Sequence, residues 1–359
     1  MSQASENSWR LKKMKNSEFK DGYKRNAIVF WSLTRRHLKV FFKNYLTVIF
    51  TLMVPLCILL VYIIFLRQME VNELWKTLKN NEITIREGKE FAVFKHHVEG
   101  IADCWMISGT LALSCITVSL NANYIVVRDK ESGISKDMIS SPINPHLITA
   151  SYFLFNVIVT FLINFIVYVI CIICLFIYGA YLISFVEFLA IIGVLLLSVM
   201  SASLITFFIL SFVRSESIMS PIIAIFSAAG GFLIGSYLPP NMLPKAINNI
   251  TLFFPGTYSA SLLRNFFLHT PLEKLMQDIQ VVYPDAQDKI QSYITEAFPQ
   301  TLNFFGKSVS MSTMSLVIFA FIGIFALLNL LFAGNNILNL SVHHKKHNKK
   351  NPALETIKK

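Results

Sequence analysis

The sequence predicts an all-α integral membrane protein: six transmembrane helices, an amino-terminal amphipathic helix in the membrane interface, and a re-entrant segment before the last span. Three observations carry this. Of 359 residues, 54% are hydrophobic and only 15% charged, where a soluble domain carries roughly 25% charged residues. The apolar residues, 31 Phe among them, gather into blocks of about 20, the length that crosses a hydrocarbon core as a helix. The basic residues sit at the two ends of the chain and beside the apolar blocks.

Ahead of the first block, Lys24 to Lys43 has the period of an amphipathic helix, with Arg35, Arg36, Lys39 and Lys43 in one narrow arc and Val29, Phe30, Trp31, Leu33, Leu38, Val40, Phe41 and Phe42 around the rest. Such a helix lies in the interface with its basic stripe toward water and headgroups. Spans follow at Leu46–Leu66, Cys104–Val126, Leu147–Ile177, Phe188–Phe212, Ile218–Leu238 and Met311–Ala333. An even number of crossings puts both ends on one side. Of the 32 Lys and Arg, 21 fall on that side and 11 on the other, and because cytoplasmic loops carry the excess, both termini are expected in the cytoplasm.

The organisation then reads as a cytoplasmic tail and interfacial helix over 1–45, a six-span domain over 46–334 and a basic cytoplasmic tail over 335–359. Within the domain, 67–103 and 239–310 are extracytoplasmic and 127–146 is a cytoplasmic loop. The first outer segment mixes six Glu with six bases, as a small exposed element does. The second opens with Pro239, Pro240, Pro244, Pro255 and Gly256 around Ile247–Phe254, a stretch too short to span and suited to short re-entrant or interfacial helices. No apolar core of a cleavable signal peptide is visible in the first 26 residues.

Several function classes lose support. The net charge of +11 lacks the interleaved aromatic and basic pattern of nucleic-acid binding. Cys57, Cys104, Cys115, Cys171 and Cys174 lie in or beside apolar blocks, and the Cys171/Cys174 pair reads as packing rather than as a disulfide or metal site. Gly306, Lys307 and Ser308 spell the end of a phosphate loop, but Thr301 stands where its first Gly belongs. No ionisable residue sits near the middle of a span; Asp103 and Glu187 lie at outer ends, and Asn156, Thr160, Asn164, Ser201, Ser203, Thr206 and Asn329 suit bonds between helices. Gly231 and Gly235 form a GxxxG that fits close helix approach, within one chain or across a dimer.

The most informative loop is VRDKESGISKDMISSPINPHL, Val127–Leu147. It is helix-capable from Arg128 through Asp137 and then stops at Ser140, Ser141, Pro142, Asn144 and Pro145. Here the chain resembles the permease subunits of the type-2 ATP-binding-cassette exporter family. Their inner loop has a Glu-Arg-Gly-Thr-like start, a leucine-rich turn and a Ser/Thr-Pro-x-x-Pro-like end, places held here by Arg128, Glu131, Gly133, Ser140, Pro142 and Pro145. Ile134 stands where Thr is common, and Met138 and Ile139 where leucines are. Leu243, Pro244, Phe254, Pro255, Gly256, Thr257, Tyr258, Leu263 and Arg264 resemble that family's later LP…NP-x-x-Y…LR run, with Phe254 in place of Asn.

The resemblance implies a bacterial plasma membrane protein that pairs with a second copy or a sister permease and binds two cytoplasmic ATPase subunits, which would hold ATP and Mg while this chain holds no cofactor or metal. The Arg128–Asn144 loop, with Met138, would be the coupling helix, and Lys24–Lys43 would brace it. An apolar, aromatic interior points to export of an amphipathic drug, peptide or lipid-like substrate. Export of a lipid-linked cell-surface polysaccharide is the nearest alternative. A membrane-embedded lipid enzyme, with His96, His97 and His269 as its few candidates, and a non-transporting sensor or immunity protein are the readings from other classes.

Overall fold

The computed structural model describes residues 24–69, 71–72, 76, 89–177, 183–237, 244–282, 287–304 and 307–333. Helix α1 (24–43) leads through Asn44, whose side chain accepts the Thr47 N–H at 3.4 Å, into α2 (Tyr45–Val61) and a π-helical turn at Tyr62–Leu66. Then come α3 (Lys89–Ala122), α4 (Tyr124–Glu131), α5 (Ile134–Ser140), α6 (Pro145–Ile177), α7 (Phe185–Ser211), a 3-10 turn (Glu216–Ile218) and α8 (Met219–Leu233). The last third holds α9 (Lys245–Thr251), α10 (Pro255–Val282), α11 (Gln287–Ala297) and α12 (Met311–Leu328) with a π-helical turn at Asn329–Ala333.

Six stretches are long and apolar enough to cross a membrane: Tyr45–Phe65, Val93–Glu131, Pro145–Ile177, Phe185–Ser211, Glu216–Leu233 and Met311–Phe332. This is a multi-pass membrane protein. Its ends are set by local chemistry: Glu187 reaches back to the Ser184 N–H at 2.8 Å to open α7, and Ser310 accepts the Thr313 N–H at 3.3 Å to open α12.

Helix α3 is the axis, with 94% of its spanning window buried under α10, α6, α7, α2 and α8, whereas the windows of α8 and α12 are 11% buried and face outward. A buried polar ladder registers α3 against α6 and α7. Ser119 Oγ donates to Asn156 Oδ1 at 2.8 Å and pairs with Thr206 Oγ1 at 2.6 Å, the Asn156 amide returns to the Ser119 carbonyl at 2.9 Å, and Ser114 bonds Asn164. Asn329 donates to the Leu204 carbonyl at 2.9 Å. Such bonds average about 0.6 kcal/mol each in a membrane, so the ladder fixes register more than it supplies stability.

Four sequence expectations change. The second crossing belongs to a helix that begins at Lys89, not Cys104, because Phe94, Val98 and Ile101 bury outside the apolar block in the core cluster shared with α10. The segment 67–103 therefore contributes to the core rather than forming only an exposed element. In place of short helices alone, 239–310 contains short α9 and the long α10, which continues through Pro271 and buries Leu263, Phe267, Leu268, Leu275 and Ile279 beside polar residues too numerous for a spanning pattern. The fifth span stops at Leu233, and Gly235 lies beyond it with φ +71°, so Gly231 and Gly235 do not share a helical face. A Cβ at Gly231 would come within 1.9 Å of the Tyr237 ring; the two glycines build a helix stop that folds the chain back on itself.

One departure from pure helix is a two-residue antiparallel ladder, β1 (Asn303–Phe304) with β2 (Lys307–Ser308), which takes up the last two letters of the phosphate-loop look-alike. Residues 1–23, Pro239, Pro240, Leu243, Gly306 and the tail from 334 onward, with its run His343 to Lys350, lie outside the described residues.

Candidate functional site

Helix α1 lies across the end of the bundle that carries the α4–α5 turn. One face of it, Thr34, His37 and Phe41, is buried, while Arg35, Lys39 and Lys43 stay exposed. Arg36 departs from the expected water-facing stripe: its guanidinium donates to both carboxylate oxygens of Asp129 in α4, at 2.6 and 3.4 Å. The Tyr152 hydroxyl of α6 donates to the same carboxylate at 2.7 Å. Three helices thus meet on one buried carboxylate. Burial alone would lower the Arg36 pKa, but the Asp129 partner outweighs it and raises it.

His37 completes the joint. Its ring stacks on Tyr152 with centroids 3.9 Å apart; Nδ1 lies 3.1 Å from Arg36 Nη1 and Nε2 lies 3.3 Å from Ser151 Oγ. Arg36 has only donors, so Nδ1 accepts and Nε2–H donates, the neutral tautomer. Burial, then the Arg36 charge, holds the His37 pKa down at about 3 from 6.5, against a smaller pull from Asp129. Because the docked pKa lies below the free one, docking is strongest above pH 6.5 and weakens as pH falls from 6.5 toward 3, where free α1 takes up a proton that docked α1 refuses. Tryptic cleavage at Lys39 and Lys43 is therefore expected to accelerate in protein pre-equilibrated at pH 5 and pulse-digested, with His37→Gln flattening the difference; a pH-independent rate in the parent chain would contradict the assignment.

Beyond α4 the chain turns at Gly133, φ +83°, where a Cβ would meet nothing within 4 Å, so the glycine serves backbone conformation rather than close packing. The turn divides the expected single helix into α4 and α5. Met138 does not project from the loop: it packs, with Ile139 and Ile143, on the cluster of Phe41, Ile148 and Tyr152. Lys136, Asp137, Ser140, Pro142 and Asn144 are exposed, and Pro145 opens α6. Of the expected loop residues, Arg128 is exposed, while the Glu131 carboxylate is engaged by the connection between α7 and α8, accepting the Glu216 N–H at 2.6 Å.

Sequence reasoning passed over Asp129, Lys130, His37 and Tyr152. A signal existed for the first two: they stand three and four residues after Val126 and seven and eight after Ala122, both buried, and so continue the inward stripe of the preceding helix.

The other expected residues lie toward the opposite half of the bundle. Pro244 precedes α9 and Pro255 opens α10. Tyr258 is buried with Leu252, Met314 and Ile318, and Arg264 stacks on Trp105 at 3.9 Å and donates to the Gly235 carbonyl at 2.5 Å. Between these and the α4–α5 end, α3, α7, α8 and the start of α10 enclose a cavity of about 320 Å³ with walls such as Ala112, Ile116, Ile205, Phe226, Leu233 and Pro255. Its polar groups are hydroxyls and a thiol: Ser198, Ser201, Thr206, Ser259 and Cys115. Among the described residues, no group of three or more His, Cys, Asp or Glu is placed to hold a metal ion.

The family profile described as "ABC-2 family transporter protein" matches residues 79–330, from ahead of α3 through α12 into the turn that follows it. The chain belongs to the ABC-2 transporter family. Comparison with the curated proteins gives no match. As an ABC-2 permease it is a membrane transport subunit without a catalytic domain, of a kind that binds no cofactor itself and works with ATPase subunits. The match takes in the Asp129 joint's α4 and α6 partners, the Gly133 turn and the cavity, and leaves α1 ahead of it.

Proposed function

We propose that this ABC-2 permease is the membrane-spanning half of an ATP-driven exporter that moves amphipathic drug, peptide or lipid-like molecules out of the cell. Two ATP-binding-cassette subunits, carrying ATP and Mg, seat on the exposed side of α5 and the following turn, at Lys136, Asp137, Ser140, Pro142 and Asn144. A second copy or a sister chain completes the pore. The observation that carries this reading is the joint at Asp129: α1 and α6 both bond it, so the exposed face of α5 stands on a stiff base instead of a loose loop. Force applied there reaches the spans.

The α1 helix is the interfacial brace. Beside its buried and basic faces it exposes Ile28, Trp31 and Phe42, at 67%, 57% and 45%, a third face suited to the headgroup boundary of the inner leaflet. With the excess of Lys and Arg on the same side, this supports a bacterial plasma membrane protein whose α1, Gly133 turn and both termini face the cytoplasm. The chain Pro244–Gly256 re-enters the membrane from outside, since Phe254, Pro255 and Gly256 line the same cavity as Ala112 and Ser201. Those walls select apolar bulk over sugar hydroxyls, which favours the drug or lipid-like class over a polysaccharide carrier.

The test is co-purification of the full chain with its cognate ATPase, scored by vanadate-sensitive ATP hydrolysis. The native chain is expected to form a stable complex, and a Lys136→Glu/Asp137→Lys exchange on the exposed face to lose at least tenfold in complex yield while folding normally. Failure of the folded native chain to bind the ATPase, or indifference to the exchange, would overturn the reading.

A further inference from the structure

Adjacent residues at the end of α4 hold both ends of the short connection between α7 and α8. Lys130, 5% exposed, donates its ammonium N–H groups to the carbonyls of Leu210 and Ser211, at 3.2 and 2.9 Å, at the carboxyl end of α7. Glu131 accepts the Glu216 N–H at 2.6 Å and the Ser215 hydroxyl at 3.2 Å, at the amino end of the α8 span. The Tyr124 hydroxyl adds a bond to the Glu216 carboxylate. Each charge has the sense the helix end calls for: a cation on orphan carbonyls, an anion on orphan N–H groups. Charge-assisted bonds of this kind are the stronger class of hydrogen bond.

The arrangement has a direction. Glu131 is separated from α5 only by Ser132 and the Gly133 turn, so a displacement of α5 reaches Glu131 directly, beside the contacts that Met138 and Ile139 make on the α6 span. On the far side, α8 is, like α12, a span with little burial to hold it, 11% of its window, and it supplies Ile225, Phe226, Ala229, Gly230 and Leu233 to the cavity wall. A stiff link joined to a lightly held wall moves that wall.

We propose that Lys130 and Glu131 are positioning residues forming a two-point clamp: Lys130 fixes the end of α7, and Glu131 carries movement of the α5 face into α8, so that nucleotide-driven displacement at the loop reshapes the cavity. The proposal rests on the reading that the ATPase docks on α5. Glu131 then acts inside the permease, not as an ATPase contact.

The experiment uses the full chain with its ATPase in lipid nanodiscs, with Cys57→Ser and Cys174→Ser to remove the accessible thiols and the labelled chain diluted in unlabelled chain. Spin-label pairs are placed at Ser220→Cys with Leu327→Cys, and at Ile134→Cys with Leu327→Cys, Ser220 and Leu327 being exposed and Ile134, at the start of α5, half-buried and outside the docking residues. Distances are read without nucleotide and after trapping with MgATP and vanadate. In the parent chain, trapping is expected to shift both pairs. In Glu131→Ala the Ile134 pair still shifts while the Ser220 shift falls at least threefold, and Glu131→Gln, whose amide oxygen still accepts the Glu216 N–H, restores it. A Ser220 shift that survives Glu131→Ala, or a parent chain in which α8 stays still on trapping, overturns the clamp. Co-elution of the ATPase in the same samples reports separately on docking, so loss of the complex and loss of transmission are told apart. A merely structural role would change thermal stability without a nucleotide-dependent difference between the two pairs.

Discussion

Asp129→Ala is expected to free α1 from the bundle and to abolish coupled ATP hydrolysis while the six spans remain assembled. The substitution removes the one acceptor shared by Arg36 and Tyr152 and leaves a buried hydroxyl and a largely covered guanidinium without it. Truncating one partner of a buried hydrogen-bonded charge pair costs on the order of 3–5 kcal/mol. The Arg36 side chain keeps 31% exposure, against 3% for Asp129, so water recovers part of its loss and the lower figure, about 3 kcal/mol, is the better estimate. That shifts the docking equilibrium roughly 100-fold. The consequence is read as tryptic cleavage at Lys39 and Lys43, exposed on α1 but protected by its helical docking, and as ATP hydrolysis by the assembled complex. Asp129→Asn keeps an oxygen for one donor and falls between. An alanine variant with native cleavage and native hydrolysis would show that α1 is held elsewhere and that the joint does not stiffen the platform.

The chain's fold was legible where hydrophobic blocks have the length of a bilayer crossing, because there the solvent leaves the backbone no alternative to a helix. Hence five of the six crossings begin within a few residues of expectation, Tyr45, Pro145, Phe185, Glu216 and Met311 among their starts. What sequence could not give was any helix whose partner is protein and not lipid. Residues 89–103 and 255–282 are mixed in polarity, and only their mutual burial, Phe94 and Val98 in one cluster with Phe267 and Leu275, makes them two long helices. The same limit governs the site. Arg36 was legible as a basic residue on an amphipathic helix, but its partner Asp129 is 93 positions away, and pattern does not pair residues at that distance. Gly133 was legible only as a place in the family's inner loop, and the helix expected from Arg128 through Asp137 ran across it, although a left-handed turn breaks it there; Gly231 and Gly235 misled because the spacing of a helical contact is also the spacing of a helix stop.

The second large effect is expected at Arg264, on the other side of the cavity. Arg264→Ala removes a guanidinium that is 1% exposed, lies 3.9 Å over the Trp105 ring and donates to the Gly235 carbonyl at 2.5 Å. That carbonyl belongs to the stop that ends α8, so the side chain ties α10 to the fold-back and, through Trp105, to α3. A charged hydrogen bond contributes about 1.5–3 kcal/mol and a desolvated cation–π contact about 2 kcal/mol, and the two share one group, so their joint loss is about 4 kcal/mol. Thermal unfolding in nanodiscs is expected to fall by roughly 8 °C, with the Trp fluorescence change moving with it. Arg264→Lys retains the charge but not the planar fork that both stacks and donates, and is expected to recover less than half of the loss. Gly109 sharpens the argument: a Cβ there would meet the Ser236 backbone at 3.0 Å and the Arg264 guanidinium at 3.2 Å, so α3 gives up a side chain to let the fold-back and the guanidinium approach. If Arg264→Ala leaves the transition unchanged, the fold-back is held by the Ser236 hydroxyl on the Gly109 carbonyl at 2.6 Å, the Tyr237 hydroxyl on the Ser227 carbonyl at 3.2 Å and the Thr257 hydroxyl on the Leu233 carbonyl at 3.1 Å. The far wall of the cavity would then be anchored without the guanidinium.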